Sequence, residues 1–473
     1  MMRSSIKKTG AVIFGCITVL TASAQPFGSA YFLEGISNRH RMNPAFMSER
    51  NYISIPALSL IGVSAQGNVG LTDFIYKYDD PGGKYELTTF MSSTVGREEF
   101  LNRLHPVNRL QINTDVTLLG TGFYGFGGFN TIELVSRSNT NTNLPYELFD
   151  FMKTGMDKAE GSSYRIPHVR NISDAYVELA LGHAHALNEK LSLGVKFKVL
   201  FAGAYADVDI NQLDVTLKQD QWEILAQGTL LGSLDGATFK TKEEEKGDRI
   251  KGIDVDDPRR NGWGLATDVG LNCQVTEDLA LSGAITDLGF LVWKNMLRGA
   301  TLNEPYLFDG FESIDVDDDD SGSPDDFDKQ LDKLGDDLGN LAKFYDQGEI
   351  TRERRLIAAT LHLGAEYTMP FYRGLSAGFL WTTRFHELHT WTEGRLSANL
   401  SPSRWFDFSV NYALSNLSTS LGWIINFHPK GINFFVGSDR MVTEVNSQGI
   451  PLNDLNGGVI LGMNITFGNR RYE

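Results

Sequence analysis

Cysteine is nearly absent from this chain, with two in 473 residues. One of them, Cys16, lies in a leader-like segment, so an exported mature chain would keep only Cys273. A lone thiol makes no internal disulfide, which excludes a small stapled scaffold. After residue 24 no window holds roughly 18 uninterrupted apolar residues, and transmembrane helices are excluded with it. A basic surplus is missing too. The 43 Lys and Arg stand against 59 Asp and Glu, a net charge of −16, so the basic footprint that nucleic acid requires is not there. Repeats of about 20–50 residues are absent. Catalytic constellations are equally scarce. His386-Glu387 and Asp174 come nearest to an acid and base set, and nothing around them positions a nucleophile, so the chain reads as a non-enzyme. Gly125-x-Gly127-Gly128 is no phosphate loop, because no helix follows it. His183-x-His185 puts two imidazoles on one strand face beside Leu181 and Leu187, too few ligands for a structural metal. His386 and His389 flank a short turn and are expected to be exposed.

What is present begins with a three-part leader. Arg3, Lys7 and Lys8 precede an apolar stretch at 11–20, and Ala22-Ser23-Ala24 stand before Gln25. That is the layout of a secretory signal peptide over 1–24, with cleavage after Ala24. A lipoprotein alternative at Cys16 fits poorly beside bulky Phe14. The 48 Gly, 29 Phe and 16 Tyr are spread over many strand-like segments, favouring one all-β body whose aromatics supply interfacial girdles. The pattern is clearest at 457–467. Val459, Leu461, Met463, Ile465 and Phe467 share one side of a period-two ladder, while Gly458, Gly462, Asn464 and Thr466 share the other, with Ile460 as the exception. A soluble sandwich turns such an apolar face inward, whereas an outer-membrane barrel turns it to lipid.

Connection lengths choose between the two. Strands are expected at 52–64, 109–119 and 122–136 (joined at Gly120-Thr121), 173–187 and 190–207, 262–276 and 278–293, 354–369 and 373–386, 389–400 and 405–415, 418–427 and 431–439, and 457–467. Going up and down from the first, every short turn within these pairs falls at one end. The long connections 65–108, 137–172, 208–261, 294–353 and 440–456 fall at the other. Short periplasmic turns and long extracellular loops are the barrel habit. The expected fold is all-β, a single antiparallel transmembrane β-barrel of 52–467 with 14 strands within a range of 12–16. The count is 14 if 211–218 and 222–231 form an extracellular hairpin, and 16 if both cross.

Between leader and first strand, 25–51 lacks sustained alternation, carries Arg39, His40 and Arg41 together, and contains Asn43-Pro44-Ala45. An Asn-Pro-Ala segment just before the first strand resembles the long-chain fatty-acid transporter family of outer-membrane barrels, and also the type IX secretion escort barrels of Bacteroidota. The stretches from Leu191 (LSLGVKFKVLFAGAYADVDINQLDVT) and from Leu279 (LALSGAITDLGFLVWKN) are similar to an uncharacterised Bacteroidota outer-membrane family of that kind. The resemblance implies 14 strands and a hatch plugging the lumen, with Arg39, Arg41, Asn43, Pro44 and Ala45 as its ligand or hatch residues. Gly462, Ile465 and Phe467 resemble the C-terminal signal read by the barrel assembly machinery, although the tail 468–473 follows.

The acidity is local. Residues 309–349 hold 15 acidic and 3 basic residues, −12 of the −16, leaving −4 for the rest. This run sits in an expected extracellular insertion, 303–350, where Phe327, Leu331, Leu334, Leu338, Leu341 and Tyr345 recur at helical steps, with Gly348 beyond the last turn. Asp317, Asp319 and Ser321 before Gly322, with Asp325 and Asp328, follow the alternate-position pattern of a calcium loop. The open alternative is a solvated loop, since Pro324 and the short Asp328 depart from that pattern. The function expected is passage of a hydrophobic or amphipathic small molecule across the cell outer membrane. The alternative is a scaffold barrel that docks a protein partner through its long loops.

Overall fold

Alternation along the wall is inverted relative to a soluble sheet. In the strand Leu191–Leu217, Lys196 and Lys198 are 2% and 3% exposed, while Val195, Phe197 and Val199 between them are 36%, 68% and 40% exposed. Leu181, Leu265, Val269, Ile285, Leu363, Trp381, Leu396, Val410, Leu421 and Val459 continue that outward apolar belt on other strands. So large a continuous apolar surface has no place in water, and with cations and amides inside it is the pattern of an outer-membrane-type barrel. Among the described residues no helix is long and apolar enough to cross a membrane.

The computed structural model describes residues 28–79, 85–156, 161–219, 221–255, 261–308, 341–441 and 454–468. Fourteen antiparallel strands close on themselves: β1 (Asn51–Ser54 and Ile61–Gly70), β2 (Val107–Gly125), β3 (Gly128–Pro145), β4 (Ser162–Ala186), β5 (Leu191–Leu217), β6 (Gly262–Gln274), β7 (Leu279–Ala300), β8 (Tyr345–Leu356 and Ala359–Thr368), β9 (Leu375–Phe385), β10 (Trp391–Ser403), β11 (Phe406–Ser415), β12 (Thr419–Phe427), β13 (Ile432–Ser438) and β14 (Asp454–Phe467). β14 pairs with β13 on one side and with both parts of β1 on the other, so no edge remains. Closure matters because an open ladder edge has no partner in hydrocarbon.

Every connection at one end, the turn end, is short, and both ends of the barrel chain lie there, with Asn51 paired to Phe467. The long connections lie at the other end, together with the short ones 386–390 and 416–418. At the opposite loop end the wall grows past the belt. Trp222–Leu234 pairs with upper β5 and then with Leu297–Ala300 of β7. It is therefore the hairpin partner of β5 and adds no fifteenth wall strand. Leu148, Ile166, Ile210, Leu213, Val215 and Ile224 form an apolar core beneath this extension.

The structure corrects several expected details. The first hairpin turns at Phe126-Gly127, six residues beyond Gly120-Thr121. Both residues there have positive φ (55° and 78°), as a two-residue hairpin that matches strand twist demands, and Gly127 relieves half of that constraint. β1 is interrupted at 55–60, where Ser59 and Leu60 turn inward and are buried. Tyr345 opens a strand, so Gly348 (φ 79°) lies within β8 and does not cap a helix. Most of the expected helical stripe, 327–340, lies outside the described residues. Its end, Leu341 and Ala342, packs in the loop-end core. His386 and His389 are not exposed on the turn. His389 is buried and the His386 ring bonds Asn141 at 3.2 Å.

Candidate functional site: the filled lumen and the cavity above it

Two short 3-10 turns, Gly28–Ala30 and Ser37–Arg41, fold residues 28–50 inside the barrel. Tyr31, Phe32, Leu33, Ile36, Met42 and Phe46 of this segment meet inward-facing Leu60, Leu380, Ile424, Phe435 and Ile460 of the wall in one buried cluster. Its first residues are clamped by Asp439, which accepts the Gly28 and Ser29 backbone N–H groups at 2.7 Å each.

Asn43-Pro44-Ala45 docks on β5 and β6. The Asn43 side chain accepts the Ala45 N–H at 3.0 Å and donates to the Leu271 carbonyl at 3.0 Å. Pro44 lies against Gly194 and Asn43 against Gly270, where any Cβ would strike them. Those two glycines are directly opposed across the ladder, so the notch is made by missing side chains on two neighbouring strands. Arg41 donates to Asp115 at 2.5 Å and to Thr117 at 3.1 Å. Arg39 makes no ion pair with a wall acid among the described residues. It caps the Tyr31 carbonyl at 3.0 Å and lies 4.6 Å from the Phe46 ring centre, bracing the segment on itself.

The wall beside this segment is ionic. Arg137 contacts Asp287 at 2.7 Å, Glu178 at 3.1 Å and Asp115 at 3.7 Å. Lys198 contacts Asp287 at 2.6 Å and Asp268 at 2.8 Å, and Lys196 holds Glu133 at 3.0 Å and His40 at 2.7 Å. Buried charges persist when so paired.

A second network ties the segment to the turn end. The Ser37 N–H donates to Asn433 (3.1 Å), Asn433 to Asn426 (2.6 Å) and Asn426 to Asp407 (2.9 Å). His428, in the turn after β12, lies 2.9 Å from Asp407 and 3.4 Å from Glu49. Burial alone would push the imidazole pKa down, but the two carboxylates outweigh it and hold it up, at about 9. A raised folded-state pKa contributes stability fully present below the ordinary histidine value of about 6.5 and lost as pH rises through about 9. Thermal unfolding of the native barrel should therefore move to lower temperature between pH 6.5 and 9 relative to His428→Gln. Parallel curves for the two proteins would show that this contact adds no pH dependence.

Above the segment, toward the loop end, lies a cavity of about 460 Å³. Ile172, Tyr176, Tyr205, Leu291 and Trp293 form its apolar walls. Asn139, shared with the small polar space around Arg137, Asp287 and Arg384, is at its floor. Leu288, Gly289, Ile357, Ala358 and Ala359 bring the cavity to a fault in the wall. The ladder between β7 and β8 runs from Leu279 to Thr286 and resumes at Phe290. Between those runs the Ile357 N–H donates to the Gly289 carbonyl at 3.2 Å.

The expected residues thus divide. Arg41, Asn43, Pro44 and Ala45 meet the wall, and Arg39 turns back on its own segment. Asp317, Asp319, Ser321, Asp325 and Asp328, with the calcium they were expected to hold, lie outside the described residues. The cavity residues were not anticipated. Their one signal in the sequence is inward-phase aromatics, Tyr176, Tyr205 and Trp293, on strands that carry inward charges, Glu178, Lys196, Lys198 and Asp287, nearby.

A model of a family of unknown function, DUF5723, matches residues 44–439. No curated protein matches the chain. The structure is similar to the toluene transporter TodX of Pseudomonas putida, at 9% identity and a TM-score of 0.40, covering 95% of this chain and 97% of that one. It is similar to a FadL homologue of Pseudomonas aeruginosa at 11% identity and 0.37, covering 93% of each. The translocator domain of the autotransporter NalP of Neisseria meningitidis shows 10% identity and 0.32, covering 89% of each.

Proposed function

Because the chain belongs to the DUF5723 family, whose function is unknown, we propose its activity from its own geometry: a plugged barrel of the cell outer membrane that takes up a hydrophobic or amphipathic small molecule. The loop end would face outside and the turn end the periplasm. The observation that carries this reading is the apolar cavity lying over a charged floor and against a fault in the wall. An apolar ligand gains by entering the cavity from water. Going straight down it would meet Arg137, Asp287 and Arg384 and then the packed 28–50 segment, with no compensating polar contact. Going sideways it meets Leu288, Ile357 and Ala358, and beyond them the outward apolar belt. Lateral release between β7 and β8 is the route of least polar contact.

Ala358→Trp tests this, because an indole placed there fills the cavity beside the fault. Proteoliposomes containing the variant should accumulate a lipophilic fluorescent probe no faster than vesicles without protein, while the variant still shifts its migration on boiling as a folded barrel does. Uptake equal to that of the native barrel would sink the proposal, and recovery of the native protein in the soluble periplasm would end the membrane reading altogether.

One observation favours the scaffold alternative. β4 and β5 extend through 25 and 27 residues into a loop-end superstructure with its own apolar core, more than a pore mouth needs. A protein partner there is compatible with the cavity below, and capture of the same partner by a variant with a filled cavity would separate the two roles.

A further inference from the structure

We infer that the cavity selects a cationic amphiphile, a molecule with an apolar body and an ammonium-type head, over a carboxylate or neutral one of equal size. The inference rests on the cavity being the ligand site of the proposed transport reading and names the chemical class it takes.

Acid outnumbers base around the mouth. Arg170 and Arg355 are shared there among four carboxylates, and the further arginine of the lining, Arg354, lies on the outer phase of β8, exposed, with its guanidinium carbon 4.0 Å from the Phe290 ring centre. Arg170 contacts Asp207 at 3.0 Å, Asp209 at 3.6 Å and Glu387 at 2.7 Å. Arg355 contacts Glu353 at 2.6 Å, Glu387 at 3.3 Å and Asp207 at 3.7 Å. Neither guanidinium is left to receive a carboxylate ligand, which would also have to displace Glu387.

Deeper in the cavity, Asp174 receives the Asn139 amide at 2.8 Å and has no ion pair among the described residues. Arg384 reaches it only through Asn139, donating to the Asn113 and Asn139 side-chain oxygens at 3.0 and 2.7 Å. A carboxylate without a direct ion pair, beside an apolar cavity, is a site that a positive head group completes and a negative one is repelled from.

The walls add the second requirement. Tyr176, Tyr205 and Trp293 line the cavity together, and the Tyr205 and Trp293 ring centres are 5.2 Å apart. Aromatic faces attract cations through the ring quadrupole, and grouped faces are how proteins recognise quaternary ammonium. One of these faces already holds a cation, for the Arg355 guanidinium carbon lies 5.6 Å from the Tyr205 ring centre. The Tyr205 hydroxyl is tied to Asp207 at 3.3 Å, which holds that ring in place.

The test uses the full-length barrel in lipid nanodiscs and three probes of one chain length: octyltrimethylammonium, octanol and octanoate, with empty discs subtracted. Octyltrimethylammonium should bind about tenfold more tightly than either of the others, the scale expected of a desolvated cation-π site. Asp174→Asn, which keeps the shape and the amide contact, should bring the affinity for octyltrimethylammonium down to about that for octanol. Tyr205→Leu should do likewise if the asparagine variant does not fold, folding being read from heat-modifiable migration. Equal or tighter binding of octanol or octanoate overturns the cation inference and leaves the apolar-ligand reading intact. Binding of none of the three above empty discs overturns both.

Discussion

Deleting residues 26–47 should turn a closed barrel into a conducting one. The deleted stretch carries nearly every contact that fills the lower lumen: the Tyr31, Phe32, Ile36, Met42 and Phe46 cluster, the Asp439 clamp and the Arg41 to Asp115 pair. It carries none of the strand ladder, which starts at Asn51. The wall should therefore still close, since its backbone bonds are made strand to strand. Leu60, Leu380, Ile424, Phe435 and Ile460 would then face water, so the unfolding temperature should fall. Planar bilayers containing the native barrel should stay near baseline, and the deletion should give steady ohmic conductance. The current should favour cations. With Arg41 gone, Asp115, Glu133, Glu178, Asp268 and Asp287 would face Arg137, Lys196, Lys198 and Arg384, leaving an acid in excess in a narrow channel. Baseline conductance in the deletion would show that the segment does not block the lumen.

The wall was legible because its rule is local. Val459, Leu461, Met463, Ile465 and Phe467 alternate with small or polar partners whatever the rest of the chain does, and the same phase holds from β5 to β14. Turn positions were legible where Pro, Asn or Gly breaks the phase. They were misplaced at Phe126-Gly127, because Gly120 and Gly122 interrupt the pattern six residues early without turning the chain. The inner face was harder to read. Ile460 looks like an error in the alternation, yet it is part of the seat of the 28–50 segment, together with Leu380, Ile424 and Phe435. Exceptions to an alternating pattern on separate strands mark a shared inner contact only when the strand order is known, and the order comes from closure. The Asn-Pro-Ala dock shows the same limit. Gly194 and Gly270 are 76 positions apart in the sequence and become one notch only through the β5 to β6 register.

The ionic layer between the cavity and the 28–50 segment was invisible for a related reason: Lys198, Asp268 and Asp287 come from three strands. Lys198→Met should be the most damaging single substitution in the wall. Lys198 is 3% exposed and its ammonium joins Asp268 at 2.8 Å and Asp287 at 2.6 Å, with Glu178 at 4.0 Å. Asp287 is held in a left-handed conformation (φ 60°), and its own N–H donates to Asp268 at 2.7 Å, so the two acids and the local kink form one unit. Methionine matches the length of the lysine stem but leaves Glu178 and Asp287 to Arg137 and Asp268 without its ion pair. Removing one partner from a buried ionic cluster costs about 3–5 kcal/mol, whereas removing charge from both sides costs far less. The single variant should lose heat-modifiable migration at a markedly lower temperature. Adding Asp268→Asn should recover part of the loss, because it removes the acid left without its partner and keeps an acceptor for the Asp287 N–H. Full native stability of Lys198→Met would mean that the acids carry protons rather than charge, and the floor of the cavity would then be no barrier to a ligand moving down the lumen.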